Sequence, residues 1–224
     1  MKIQIITSLK NADHAKGVTV VIDVLRAFTT TCYLFANSAK EVISVADLDE
    51  AYSIKKSHPS YLLIGERKGI KPSDFDWGNS PAELRTVSFK GKTVILTTSA
   101  GTQGIHKAIH ADEVITGAFV NANAIASYIQ KRKPNDVTLL CTDDWHPENE
   151  DVMCAKYIMS LLNEHPMNFH KIRIYMKTHP SADGFLLHPM TKWSKIDFNL
   201  CMTRDTFDFV VKARKGDPII LERI

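Results

Sequence analysis

Short apolar runs alternate with longer amphipathic stretches along most of the chain. Residues 19–24, Thr-Val-Val-Ile-Asp-Val, are continuously apolar up to their aspartate, the pattern of a strand buried on both faces. A helix is expected over 26–37, a strand over 41–45, and a helix over 47–57 with Asp47 as N-cap and Glu50 three residues on. A short apolar run follows at 61–64. The alternation then breaks at 65–81, which holds three Gly, two Pro, three Asp or Asn and a Trp. A loop this long inside a compact domain is usually functional or disordered, and Phe75 and Trp77 argue against disorder. Strands are expected again at 93–97, 113–116 and 137–141, and helices at 101–108, 122–133 and 148–163. This repeated order predicts an α/β fold with a mainly parallel sheet and helices on its faces. At the end, Phe209-Val210-Val211 and Ile219-Ile220-Leu221 flank Lys215-Gly216-Asp217-Pro218, a β-hairpin signal that makes the sheet mixed. No repeat or interdomain linker is visible, so residues 1–224 read as one domain. The stretch 166–189 is the least regular.

Composition narrows the function classes. The chain has 224 residues, 44% of them hydrophobic and 24% charged, which excludes a mainly disordered protein. The net charge is +3, from 28 basic and 25 acidic residues, and the only compact basic runs are 131–133 and 212–215. Both read as solvated element ends, so no nucleic-acid partner is expected. No segment approaches the ~20 apolar residues of a membrane helix. The N-terminus does not read as a signal peptide. Cys32, Cys141, Cys154 and Cys201 are widely spaced with no CxxC pair. Reduced, buried cysteines in a cytoplasmic protein without a membrane partner are the expectation. A homo-oligomer is left open.

In open α/β sheets, ligands bind beyond the carboxyl ends of the strands. Reading those ends in turn gives Asp23 with Arg26; Glu66, Arg67 and Lys68, then Asp74, Asp76, Asn79 and Ser80; Thr97, Thr98, Ser99, Gly101 and Thr102; Asn121; and Asp143, Asp144, Glu148, Glu150 and Asp151. Carboxylates, hydroxyls, Gly and Arg thus recur at one edge. Each piece also has a plain structural reading. Asp23 is either a helix cap or a metal ligand or base. Arg26 and Arg67 are either surface ion-pair residues or bidentate partners of phosphate or sulfonate. Residues 97–102 are either a capped turn or an anion cradle at a helix N-terminus. Glu150 and Asp151 are either first-turn acids or, with Asp23, an oxygen-only site suited to Mg2+. His165, His170, His179 and His188 fall in the irregular segment, where surface or structural roles are the simpler reading. Several chemistries are absent: no Walker A loop, G-x-S-x-G elbow, H-E-x-x-H helix or G-x-G-x-x-G turn occurs. Leu25 stands where the second aspartate of a haloacid-dehalogenase phosphoaspartate motif belongs.

The same residues carry a family resemblance. Val20-Val21-Ile22-Asp23-Val24-Leu25-Arg26-Ala27, Gly65-Glu66-Arg67, Phe75-Asp76-Trp77-Gly78-Asn79-Ser80-Pro81, Gly91-Lys92-Thr93-Val94-Ile95-Leu96-Thr97-Thr98, Gly101-Thr102, Gly117-Ala118-Phe119-Val120-Asn121-Ala122 and Glu150-Asp151 with Cys154-Ala155 appear in order. Over nearly its whole length the chain resembles the 2-phosphosulfolactate phosphatase (ComB-like) family. The resemblance implies a three-layer α/β/α fold and Mg2+-dependent hydrolysis of 2-phospho-3-sulfolactate, a step of coenzyme M biosynthesis. It implies a small anionic substrate carrying phosphate, sulfonate and carboxylate. On this expectation Asp23, Glu150 and Asp151 hold Mg2+, and Arg26 and Arg67 clamp phosphoryl or sulfonate oxygens. Asp76 or Glu66 is then base or further ligand, and Asn79, Ser80, Thr97, Thr98, Ser99, Gly101, Thr102 and Asn121 orient the substrate. Two alternatives stay open: a phosphatase for another phosphorylated 2-hydroxy acid, and a small-anion-binding domain without turnover.

Overall fold

The computed structural model describes residues 1–143, 145–187 and 193–224; Asp144 and His188, both singled out above, lie outside them. The chain runs β1 (Lys2–Ile6), β2 (Val18–Ile22), α1 (Ala27–Ala36), β3 (Glu41–Ser44), α2 (Leu48–Ser57), β4 (Leu62–Gly65), α3 (Pro81–Leu84), β5 (Thr93–Thr97) and α4 (Gly101–Ala108). It continues through β6 (Glu113–Gly117), α5 (Ala122–Arg132), β7 (Asp136–Cys141), α6 (Glu150–Leu162), α7 (Phe169–Lys177), α8 (Asp183–Leu186), α9 (Lys195–Cys201), β8 (Val211–Arg214) and β9 (Ile219–Arg223). Every residue of β2, β5 and β6 is buried, as continuous Val- and Ile-rich runs require when helices cover both faces of a sheet. The expected helix over 47–57 forms as α2, with the Asp47 carboxylate accepting the Glu50 amide at 2.8 Å.

The described strands join one mixed sheet in the order β1-β7-β2-β6-β8-β9-β3-β5-β4. Pairing is parallel from β1 to β6 and again from β3 to β4. The C-terminal hairpin β8–β9 is inserted between these halves, and all its pairings are antiparallel. The hairpin expected from sequence is therefore present, but in the middle of the sheet rather than at an edge, and its first strand starts two residues later than the apolar run. The main core lies between the sheet and α1, α4, α5 and α6; a smaller one, built of Ile43, Val45, Ala51, Leu63, Phe75 and Ile95, sits beneath α2. Phe75 is how the long loop after β4 anchors itself.

The inserted hairpin reverses the sense of β3, β5 and β4 relative to β2. Twist of about 20–25° per strand pair accumulates to about 100–125° over the five interfaces from β2 to β5. The ends of β4 and β5 meet the end of β2 at one mouth because α4, which leads off from β5, packs back against β2 and α1. Two glycines mark the close approaches. A Cβ on Gly65, at φ +150°, would stand 1.9 Å from the Thr97 carbonyl oxygen, and one on Gly101 would stand 2.6 Å from the Ala27 Cβ.

Candidate active site

Asp23 follows β2 directly and caps α1. Its Oδ1 accepts the Ala27 amide at 3.0 Å, and its carbonyl accepts the Phe28 amide at 3.1 Å. Its Oδ2 lies against Gly101, where an added Cβ would stand 2.8 Å away. Glu66, after β4, accepts the Ser99 amide at 2.7 Å on Oε1, and the Ser99 hydroxyl at 3.0 Å and the Gly69 amide on Oε2. Ser99 Oγ in turn accepts the Lys68 amide at 2.8 Å, so one carboxylate locks the turn after β4 to the loop after β5.

Glu150 and Asp151 open α6 behind the cap Asn149, whose Oδ1 accepts the Val152 amide at 3.0 Å. These adjacent acids have different surroundings. Asp151 accepts the Val24 amide at 2.9 Å on one oxygen, and the Thr142 amide at 3.1 Å and hydroxyl at 3.0 Å on the other. It ties the ends of β2 and β7 to α6. Glu150 has its Oε2 buried with no hydrogen-bond partner.

Arg26 is 5% exposed, donates from Nη1 to Asp197 Oδ2 at 3.2 Å, and lies 5.9 Å from the Phe185 ring centroid. Asp197 Oδ1 accepts the Ser80 hydroxyl at 2.8 Å and the Ala82 amide at 2.9 Å. The ion pair thus fixes the start of α3 as well as the guanidinium.

These groups surround a cavity of about 390 Å³ whose walls include Asp23, Arg26, Glu66, Lys68, Asp143 and Glu150, with Trp145, Phe185 and Trp193 as aromatic sides. A second cavity of about 480 Å³ shares Arg26, Gly69, Asn79 and Trp193 with it, and adds Ser80 and Asp197. Burial above all, then repulsion from Glu66, Glu150 and Asp143, pushes the Asp23 carboxyl up to about 7, against the Ala27 amide that favours its ionised form. Burial likewise lifts Glu150 to about 7, opposed by the Ser181 hydrogen bond and reinforced by Asp143. Asp151 is raised by burial and by its neighbours Asp23 and Glu150. Two carboxylates so perturbed in one cavity, Asp23 and Glu150, mark it as a candidate functional site.

The comparisons with known proteins agree with this picture. The sequence model of the family described as 2-phosphosulpholactate phosphatase matches residues 4–216. The chain belongs to the 2-phosphosulfolactate phosphatase family. Relatives named "Probable 2-phosphosulfolactate phosphatase" include one from Thermotoga petrophila, 43% identical over 216 residues, covering 91% of this chain and 92% of that one. The Bacillus subtilis relative is 30% identical over 209 residues, 92% of each chain. The Carboxydothermus hydrogenoformans relative is 42% identical over 167 residues, 73% of this chain and 68% of its own.

Not every family-motif residue reaches the cavities of this phosphatase fold. Asp23, Arg26, Glu66, Asn79, Ser80, Ser99 and Glu150 line one or both. Arg67 is turned inward, donating to the carbonyls of Glu66 at 2.8 Å and Ala46 at 3.1 Å and to Thr97 Oγ1 at 2.6 Å, so it braces the strand ends. Asp76 accepts the Leu63 amide at 2.8 Å and pairs with Lys55 at 3.7 Å beside β4, outside both cavities. Thr98 and Thr102 are buried and bond to each other and to their own backbone, which is the capped-turn reading of 97–102. Asn121 is fully buried, accepting the Ala118 amide at 3.2 Å. Asp197 was not singled out from sequence; its place three residues after Ser194 looks like an ordinary helix start, and Ser194 Oγ does accept its amide at 3.0 Å. Trp145, Phe185 and Trp193 carried no motif either. His165 and His170 are exposed, and neither lines these two cavities. All four cysteines are buried and unpaired. No described helix is long and apolar enough to cross a membrane.

Proposed function

We propose that this chain is a cytoplasmic, Mg2+-dependent phosphatase that hydrolyses 2-phospho-3-sulfolactate to 3-sulfolactate and phosphate, the reaction of a coenzyme M biosynthesis step. One observation carries the metal: Glu150 Oε2 is buried without a partner in the cavity that Asp23 also lines, and burial above all lifts both carboxyls to about 7. Among the described residues no three His, Cys, Asp or Glu side chains form a ready-made cage. Mg2+ does not need one, because it keeps several waters and commonly takes one or two carboxylates plus substrate phosphate oxygens. Asp23 and Glu150 are the pair that would hold it; Asp151 has both oxygens committed to Val24 and Thr142.

Bound there, Mg2+ supplies charge neutralisation at the phosphoryl oxygens and lowers the pKa of a bound water. Arg26 contributes a fixed positive charge at the boundary of the two cavities. Its rigid tether to Asp197 means it need not be reorganised as charge spreads over the equatorial oxygens. Glu66, by holding Ser99 and Gly69, keeps the loop after β5 in place at the start of α4, whose N-terminal end favours an anion. The adjoining cavity gives room for the sulfonate-bearing end of the substrate. The test is inorganic phosphate release from 2-phospho-3-sulfolactate with Mg2+ and again in excess EDTA, for the native chain and for Asp23→Asn and Glu150→Gln. Release that requires Mg2+ and is lost in both variants is expected. Release that survives EDTA removes the metal from the proposal, and faster release from a carboxylate analogue of the sulfonate reassigns the substrate.

A further inference from the structure

A further cleft, of about 550 Å³, opens between the first two turns of α7 and the residues that follow α9. It shares no wall with the two cavities of the active site, and it lies at the opposite end of α7 from Pro180 and Ser181, which border the Asp23 cavity. Its ionisable walls are His170, Arg173 and Arg204, and no Asp or Glu lines it among the described residues, whereas both active-site cavities carry carboxylates. Arg173 stands four residues after Phe169 on α7, so its stem follows the face that Phe169 buries. Its Nε is buried without a hydrogen-bond partner, and its guanidinium pairs with no carboxylate among the described residues. A buried N–H that finds no acceptor is costly, so an acceptor is missing here. Arg204 is held beside it: its Nη1 donates to Tyr157 Oη at 3.3 Å, and its Cζ stands 5.9 Å from the Phe169 ring centroid. Asp205 reaches Arg204 Nε only at 4.0 Å, because its own oxygens are taken by the Asn123 amide at 2.9 Å and Nδ2 at 3.0 Å.

We infer that this cleft is a second ligand site, which takes a small organic oxyanion. A sulfonate or phosphate group is bound by Arg173 and Arg204, and its apolar body lies against Met167, Phe169 and Met202. Planar guanidinium forks match the oxygens of such a group, and the orphaned Arg173 Nε gains the acceptor it lacks. The first-turn amides of α7 have no acceptors within their own helix and add partial positive charge at the same end. The apolar walls set the class of ligand. Met202 is fully buried and Phe169 is 9% exposed, so the floor of the cleft is hydrocarbon and thioether, which a bare inorganic anion would leave uncovered. The space is also far larger than one tetrahedral anion fills.

The experiment follows the arginine Nε–H signals of the 15N-labelled native chain by NMR during titration with benzenesulfonate, phenylphosphonate, inorganic sulfate and benzyl alcohol. Calorimetry on the same samples gives the dissociation constants, and thermal melts check that each variant is folded. The Arg173 signal, identified by its absence in Arg173→Met, is expected to move as benzenesulfonate or phenylphosphonate binds. Arg173→Met and Arg204→Met are each expected to weaken that binding by about 10-fold or more, the worth of a hydrogen bond to a charged group. Arg173→Lys keeps the charge without the fork and is expected to recover only part of it. Sulfate lacks the apolar body and benzyl alcohol lacks the charge, so both are expected to bind more weakly than benzenesulfonate. An Arg173 signal that neither organic anion moves overturns the inference and leaves water as the partner of Nε. Native affinity in both Met variants overturns it too, and sulfate binding as tightly as benzenesulfonate overturns the class of ligand. Binding that is lost in Arg26→Met but kept in Arg173→Met places the anion in the active site and also overturns it. None of these readouts uses turnover, so they hold whatever the substrate of the active site.

Discussion

Replacing Asp197 by Asn isolates the contact that frames both cavities. The carboxamide Oδ1 can still accept from Ser80 and Ala82, whose bonds of 2.8 Å and 2.9 Å both go to Asp197 Oδ1. Only the oxygen facing Arg26 is exchanged, for an NH2 that points at the guanidinium. Both side chains are buried, at 5% and 2% exposure, so water cannot screen the change. Removing one partner of such a pair costs about 3–5 kcal/mol. With the Ser80 and Ala82 bonds retained, the lower end, about 3 kcal/mol, is the expectation for Asp197→Asn. Asp197→Ala also orphans those two donors at about 1 kcal/mol each and should reach about 5. For a chain of this size each kcal/mol moves Tm by about 2–4 °C, so Asp197→Asn should melt about 6–12 °C lower. Urea titrations of the native chain, both single variants and the Arg26→Met/Asp197→Asn double variant close the cycle. The double variant should be less destabilised than the sum of the singles by about 2 kcal/mol, because neither buried charge remains. Phosphate release by Asp197→Asn should show KM raised more than kcat is lowered, since Arg26 keeps its charge and loses its ion pair with Asp197. A variant within about 0.5 kcal/mol of native, with additive singles, refutes the assignment of this pair as the frame of the site.

Three further outcomes are expected. Gly101→Ala sets a Cβ 2.6 Å from Ala27 Cβ and 2.8 Å from Asp23 Oδ2; it should cost about 1–3 kcal/mol, with turnover falling at least about 10-fold because Asp23 must move, read by melts and kcat on the same sample. Asp76→Asn should leave kcat within about threefold and lower stability by no more than about 1 kcal/mol, since among the described residues Asp76 serves the Leu63 amide and Lys55 outside both cavities; a 100-fold loss of kcat with the fold intact returns it to the chemistry. Between the ordinary carboxyl values of 3.8 and 4.5 and the raised values of about 7, the folded chain holds protons on Asp23 and Glu150 that the unfolded chain has released, so the stabilising protonation is lost as pH rises through about 7. Urea midpoints in EDTA across about pH 5–8 should fall with pH and recover in saturating Mg2+; a flat or rising profile in EDTA counts against the buried acidic pair.

Much of the fold was legible because burial on both sheet faces leaves a mark in sequence. The runs that became β2, β5, β6 and β7 are apolar without alternation, and α2 announces itself by Asp47 and Glu50. The edge strand β1 was not recognised, since Lys2-Ile3-Gln4-Ile5-Ile6 is only partly buried and its pattern is weak. Nor was α7, within the stretch that looked irregular: its apolar face is only Phe169, Ile172 and Met176. The placement of the C-terminal hairpin could not be read at all, because strand order is decided by partners far away in the chain. The site was legible as a collection of residue types at strand ends but not as a division of roles. Arg26 and Arg67 look equivalent in sequence, yet one meets a buried carboxylate at the cavity and the other caps backbone carbonyls behind it.

The acids of this site explain why roles resist reading. Glu66, Asp151 and Asp197 each accept a backbone amide from another segment: Ser99, Val24 and Ala82. A sheet whose two halves run in opposite senses brings several strand ends together that no continuous ladder joins. Their amide groups face one another with no strand to satisfy them, and a buried N–H without an acceptor is costly. Buried carboxylates are an economical answer, since one side chain with two oxygens can join two loops. The same residue type is therefore needed for holding the mouth together and for the chemistry inside it. What separates the two uses is not the residue but whether the loops exhaust its oxygens. Asp151 and Glu66 are exhausted in this sense, with protein donors on both oxygens. Glu150, with Oε2 buried and without a partner, is not, and it stands where the cavity, the raised carboxyls and the family motif coincide.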